Sequence, residues 1–229
     1  MLLTDAELDH TLGLPLLREG SGFLAWAPPA VQQALTQDFP LREVIGRYGD
    51  WDWRPVTSGR TVEIGELDRD GGALRVTAFG VGDKRPRYVR PGLEDTADAG
   101  PWVIGYRIED PASGGTLVYC PCTRAWPDGF DDLAADADCV VLDGTFYSPE
   151  EMSAATGRAT DTAAQRLMGH LPMAGAGGSL ARIRRHPAVR WIYTHLNNTN
   201  PVLDPASTEH AAVIAAGAEL PPDGTELDL

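Results

Sequence analysis

The chain has 229 residues, 43% of them hydrophobic, enough for a single domain with a sizeable core. Its formal net charge of −14 argues against a duplex nucleic-acid surface, which needs a basic face. Three cysteines form no disulfide framework, Met1-Leu2-Leu3 runs straight into acids, and no stretch is long and apolar enough to span a bilayer. The expectation is a cytoplasmic protein with neither nucleic-acid nor membrane partners.

In chain order, Leu2-Leu3 reads as the end of a buried strand, followed by a loop in which Asp5, Glu7, Asp9 and His10 arrive close together. The apolar run Leu12-Gly13-Leu14-Pro15-Leu16-Leu17 is expected to start a buried helix that clamps this loop. Phe23 to Trp26 reads as a short strand, and Pro28-Pro29 leads into an amphipathic helix through Val31, Ala34 and Leu35. A second helix is expected from Leu41 to Tyr48, ahead of Trp51 to Val56. Val62-Glu63-Ile64 and Leu74 to Phe79 alternate apolar with polar, the period of half-buried strands. Residues 80–100 have no sustained periodicity and carry a basic knot, Lys84, Arg85, Arg87 and Arg90, so they read as a lid or binding loop or, alternatively, as a solvated mobile loop.

Trp102 to Asp110 and Thr116 to Cys120 predict a hairpin turned by Ser113-Gly114-Gly115. A short helix over Asp131 to Ala135 precedes the apolar strand Cys139 to Leu142, which delivers Asp143 at its end; Cys139 is a core residue on this reading. Ser148-Pro149-Glu150-Glu151 is a capping box that starts a helix. Gly175 to Gly178 opens a helix to about His186, and Val189 to Thr194 is a strand ending at His195. Asp204-Pro205 is expected to cap a last helix, Ala206 to Ala216, closed by Gly217. His186 and His210 read as surface or cap residues. Strands alternating with helices, with functional residues at strand ends, indicate a layered α/β domain.

Asp9, His10 and His195 form the strongest constellation. Two imidazoles and one carboxylate suit non-haem Fe(II) and oxygen chemistry, and zinc accepts them too. Asp143 reads either as a carboxylate that orients a metal-ligand imidazole or as a cap for the turn before Thr145.

Several of these stretches carry a resemblance. Thr4-Asp5-Ala6-Glu7-Leu8-Asp9-His10 is similar in spacing to the strand-to-loop Thr-His-x-His-x-Asp-His motif of the metallo-β-lactamase superfamily. With Leu17-Arg18-Glu19-Gly20, Asp143-Gly144-Thr145-Phe146, Met168-Gly169-His170-Leu171-Pro172 and His195-Leu196-Asn197-Asn198-Thr199-Asn200-Pro201, it resembles the pyrroloquinoline quinone biosynthesis protein B family, from Thr4 to the C-terminus. The resemblance implies a metallo-β-lactamase-like αββα sandwich. By position, Asp9, His10 and His195 match the superfamily's second metal site, while Asp5 and Glu7 replace two histidines of its first. One metal, Fe(II) ahead of zinc, is therefore expected, with O2 as co-substrate. Cys122 stands where the superfamily often places a bridging aspartate and is the fourth ligand candidate ahead of Cys120; the Cys120-Pro121-Cys122 turn departs from the family's pattern. His170 is implied as a substrate contact or acid–base group near the metal.

The resemblance also implies a role in making pyrroloquinoline quinone, by iron-dependent hydroxylation of the tyrosine ring of a small Glu–Tyr-derived substrate. Lys84, Arg85, Arg87 and Arg90 would hold its carboxylates, and Asn198 is counted among the substrate contacts. A soluble carrier for the cofactor or its precursor and a metal-dependent hydrolase are the alternatives. Members of the family carry a strand-rich segment ahead of the metal motif, so the expected domain is N-terminally truncated, with a bare sheet edge at Leu2-Leu3. Self-association through that edge, into a homodimer, is the expected consequence.

Overall fold

The computed structural model describes residues 1–19, 22–65, 73–90, 100–152 and 168–229. Two compact units divide the chain: Met1–Val62 with Thr77–Ile104, and Glu63–Val76 with Gly105–Leu229.

In the first unit β1 (Phe23–Ala27) and β2 (Trp51–Pro55) pair in parallel, with Phe23 opposite Trp51. Helix α1 is Leu8–Thr11, α2 is Pro29–Gln37 and α3 is Leu41–Ile45. Pro29 stands at the start of α2, where its missing N–H has no helical partner to lose. α2 buries Ala30, Val31, Ala34 and Leu35, and the last three pack into a cluster with Leu3, Ala6, Leu14, Leu41, Ile45 and Val89. α3 stops at Ile45, short of the expected Tyr48, because Gly46 follows.

Two expectations fail in this unit. Leu12 to Leu17 is not a buried helix: Leu14–Leu17 forms a single 3-10 turn that buries Leu14 and leaves Leu12, Leu16 and Leu17 exposed. Pro15 is the reason, since it lacks an N–H and restricts Leu14 before it. Nor is Leu2-Leu3 a bare edge. Leu3 N–H donates to the Trp26 carbonyl (2.9 Å), Trp26 N–H to that of Met1 (2.9 Å) and Ile104 N–H to that of Thr4 (3.0 Å).

β3 (Thr61–Ile64), β4 (Leu74–Gly82), β5 (Val103–Glu109), β6 (Thr116–Cys120), β7 (Cys139–Asp143), β8 (Arg190–Thr194) and β9 (Ala218–Glu219) follow one another in a seven-stranded sheet in that order. The unit boundaries fall within β3, β4 and β5. β4 takes the first residues of the expected 80–100 loop; residues 91–99 of that loop lie outside the described ones.

In the second unit β5 and β6 are the predicted antiparallel hairpin, and β6 to β9 run parallel. The crossovers pass through α4 (Phe130–Ala135), α5 (Ser179–Ile183) and α6 (Thr208–Ala215). All five residues of β7 are buried, the continuous apolar run of a strand covered on both faces, and Cys139 sits in a cluster with Val141 and Ile192. Register places Cys120 opposite Leu142 and Asp143 opposite Thr194, so the C-terminal ends of β6, β7 and β8 finish in step. In open α/β sheets such ends gather the site. The α6 cap is Ser207, whose hydroxyl accepts the His210 N–H (3.0 Å), and not Asp204, which closes a tighter turn onto the Ala206 N–H (2.9 Å). At the expected capping box the Glu151 carboxylate accepts the Tyr147 N–H (2.6 Å); the course of the expected helix beyond Met152 falls on residues outside the described ones. None of the described helices is long and apolar enough to cross a membrane.

Candidate functional site

Asp143, at the end of β7, is 1% exposed and accepts from several directions. Oδ1 takes the Thr145 N–H (3.0 Å) and hydroxyl (2.6 Å); Oδ2 takes the Thr123 N–H (2.8 Å) and lies 2.8 Å from His170 Nδ1. Asp143 thus caps the turn before Thr145, and the imidazole it faces is that of His170. Thr145 Oγ1 also lies 2.6 Å from His195 Nδ1 and 3.0 Å from His170 Nδ1, and the two imidazole rings stack 5.1 Å apart. His195 has φ +60, the one described non-glycine residue in the left-handed region.

Cys122 is buried with Sγ 4.0 Å from His170 Nδ1, and Cys122, Asp143 and His170 present donor atoms within 4.8 Å of one another. Cys120 is fully buried, and that burial, reinforced by the Asp143 charge, pushes its thiol far above the ordinary range. Both cysteines are buried, and Cys122 is the one whose sulfur is grouped with Asp143 and His170. His170 also lines a cleft of about 470 Å³ with Arg124, Pro149, Leu171 and the glycines at 175, 177 and 178. Asn198 is exposed; its neighbours make the contacts, Asn200 Nδ2 donating to the Gly144 carbonyl (2.9 Å) and the Thr199 hydroxyl to Glu151 Oε1 (2.7 Å). His186 pairs with Asp131 (2.9 Å) and His210 bonds to the Val202 carbonyl (2.8 Å), both structural as expected.

In the first unit Asp5, 1% exposed, accepts the Thr4 hydroxyl (2.8 Å) and the Glu7 N–H (2.9 Å) and lies 2.6 Å from His10 Nδ1. Asp9 is exposed beside it, with Oδ2 3.7 Å from His10 Nε2. Burial alone would raise the Asp5 carboxyl, but its bonds to His10, Glu7 and Thr4 outweigh burial and hold it below the ordinary value. Burial alone would lower the His10 imidazole, but Asp5, with the charges of Asp9 and Glu7, holds it above its ordinary value. A lowered carboxyl stabilises the fold above its unfolded value of 3.8, an effect lost as pH falls through the folded one. A raised imidazole stabilises below 6.5, an effect lost as pH rises through its folded value. Denaturant titrations of metal-free Asp5→Asn should therefore show its largest loss, about 1–3 kcal/mol, between those two values, with both pH limbs flattened. A loss independent of pH would show that the pair is not charged.

Asp5 is thus the carboxylate that holds His10, and Glu7 pairs with Lys84 (2.8 Å). Arg90 is bound to Asp38 (2.7 Å) and the Gln37 carbonyl (3.2 Å). Lys84 and Arg90, expected to meet substrate carboxylates, are instead engaged by acids of their own unit, as befits a chain with 33 acids against 19 bases. Arg85 lines a separate cavity with Asp83, Gly100 and Trp102, and Arg87 is exposed. Tyr88, whose phenol burial raises far above its ordinary range, donates to the Ala6 carbonyl (2.7 Å) and ties this loop to the metal-motif loop. Sequence reasoning passed over Thr145, Asn200, Arg124 and Glu151. The Asp-x-Thr pattern after a strand, a known local turn former, was the legible signal for Thr145.

The family model for the beta-lactamase superfamily domain matches residues 1–196. A coenzyme PQQ synthesis protein B of Pseudomonas paraeruginosa is 35% identical over 231 residues, covering 100% of this chain and 73% of that protein. The crystal structure of Zn(2+)-bound PqqB from Methylobacterium extorquens matches with a TM-score of 0.80 and 30% identity, over 100% of this chain and 72% of that one. A diphosphatase of the PhnP family shares the fold, with a TM-score of 0.61 at 16% identity, over 100% of this chain and 70% of that one. The chain belongs to the coenzyme PQQ synthesis protein B family of the metallo-β-lactamase superfamily.

Proposed function

We propose that this protein is a metal-dependent enzyme of pyrroloquinoline quinone biosynthesis that oxidatively hydroxylates the tyrosine-derived ring of a Glu–Tyr precursor. The observation that carries this reading is identity of 35% along the whole chain to a PQQ synthesis protein B. Asp9, His10 and His195 are the proposed ligands of one divalent ion, with Cys122 as a further candidate. The donors suit the role: His10 Nδ1 is held by Asp5 and His195 Nδ1 by Thr145, so a metal held by these rings would be met by Nε2 of each. Metal-ligating histidines are oriented in just this manner by a carboxylate or another fixed acceptor. When bound there, iron(II) supplies oxygen activation, and zinc would supply Lewis acidity.

The remaining residues prepare the substrate. His170, anchored through Nδ1 by Asp143, lines the cleft and is placed to exchange a proton with a phenol bound there. Arg124, on the same cleft, offers a planar fork for a substrate carboxylate. His170→Gln should lower kcat by about 100- to 10,000-fold, with metal content unchanged. A variant that loses metal and activity together would make His170 a ligand instead.

Incubating metal-reconstituted protein with a Glu–Tyr-derived precursor in air tests the whole reading. Oxygen uptake matched by hydroxylated product supports it. Hydrolysis without oxygen uptake, or stoichiometric binding without turnover, overturns it in favour of a hydrolase or a carrier.

A further inference from the structure

The hydroxyl of Thr145 stands at the centre of a contact set that joins His195 to Asp143 and His170. It is 5% exposed and lies within hydrogen-bond distance of Asp143 Oδ1 (2.6 Å), His195 Nδ1 (2.6 Å) and His170 Nδ1 (3.0 Å). A hydroxyl has one proton to give and two lone pairs. Both Asp143 oxygens already take backbone N–H groups, from Thr145 on Oδ1 and Thr123 on Oδ2, so the carboxylate acts as the acceptor. The Thr145 proton goes to Oδ1 and the hydroxyl oxygen is left as an acceptor. His195 must then carry its proton on Nδ1 and donate it to Thr145. His170 Nδ1 donates to Asp143 Oδ2 (2.8 Å) by the same logic.

We infer that Thr145 is a positioning residue that fixes the Nδ1–H tautomer of His195, its hydroxyl linking that imidazole to the Asp143 carboxylate. The backbone around it is tied down for this purpose. Gly144 N–H donates to the Thr194 carbonyl (2.8 Å), Asn197 N–H to that of Thr145 (3.1 Å), and Asn200 Nδ2 to those of Gly144 (2.9 Å) and Thr145 (3.3 Å). A Cβ at Gly144 would meet Leu196, Met173 and the Thr194 carbonyl at 2.8 to 2.9 Å, so only glycine lets the β7 loop approach the His195 loop this closely. The left-handed backbone of His195 is a strained conformation that such surroundings can hold, and it sets the ring against Thr145. The tautomer stands on these contacts, and its effect on metal affinity rests on the reading of His195 as a ligand, whose Nε2 must be unprotonated to coordinate.

The test begins with metal-free wild-type protein, labelled with 15N in its histidines, at pH 8. Long-range 15N–1H correlation spectra should show His195 as the Nδ1–H tautomer. Thr145→Val, which keeps the shape and removes the hydroxyl, should release His195 to the Nε2–H form or a mixture, and Thr145→Ser should restore it. Affinity for Zn(2+) by titration calorimetry should weaken about 10- to 100-fold in Thr145→Val and recover in Thr145→Ser. A wild-type His195 protonated on Nε2, or a tautomer unchanged in Thr145→Val, overturns the inference. A tautomer that responds as expected, with zinc affinity unmoved by Thr145→Val and by His195→Ala, sustains the positioning role and removes His195 from the ligand set. The wild-type spectrum alone decides the first point if Thr145→Val does not fold.

Discussion

His195→Ala should abolish high-affinity metal binding, with an affinity loss beyond the roughly 10- to 100-fold expected for a partner outside the coordination sphere. Metal analysis after dialysis and calorimetric titration provide the measurement, with far-UV circular dichroism as the control for folding. The backbone gives this experiment a second reading. At φ +60 an alanine remains in the left-handed region, where a side chain costs about 1–2 kcal/mol, whereas glycine does not. His195→Gly should therefore be as metal-deficient as His195→Ala yet melt higher. Retention of one equivalent of metal by both variants would put the site elsewhere.

Asp143→Ala should be the most damaging single change to stability, at about 3–5 kcal/mol. The carboxylate accepts from the Thr123 N–H, the Thr145 N–H and the Thr145 hydroxyl and faces His170 Nδ1, all in a buried setting. An alanine leaves those donors inside the protein with no acceptor. Asn at this position keeps one acceptor oxygen but turns an NH2 toward other donors, so Asp143→Asn should fall between the two. Urea titrations would register the loss as a lower midpoint at an unchanged slope. A loss below about 1 kcal/mol would mean that the donors find other partners.

Much of the fold was legible because it is written in local pattern. The apolar run at β7, the strand that ends at His195, the Pro-led start of α2 and the glycine-turned hairpin were all found where the residues place them. Where the reading failed, the deciding partner lay far along the chain or a single residue broke the period. Pro15 turned an expected helix into one 3-10 turn. Arg90 finds Asp38 across 52 residues, and Thr145 meets His195 across 50, distances over which sequence carries no visible pattern. Asp143 was identified as a residue with two readings, but its reach into the Thr123 backbone could not be seen before β6 and β7 were in register.

That register carries a further consequence for how the family can vary. Asp143 lies opposite Thr194 on parallel strands, and His195 is the first residue beyond β8. Adding or deleting one residue in either strand would move the following side chain by about 3.3 Å along the strand and turn it to the opposite face. Such a slip exceeds the whole length of the 2.6 Å contact between Thr145 and His195. The two strands therefore act as a gauge for the hydroxyl–imidazole spacing. Length changes in the crossovers leave that gauge intact, whereas a single-residue indel within Cys139–Asp143 or Arg190–Thr194 resets it.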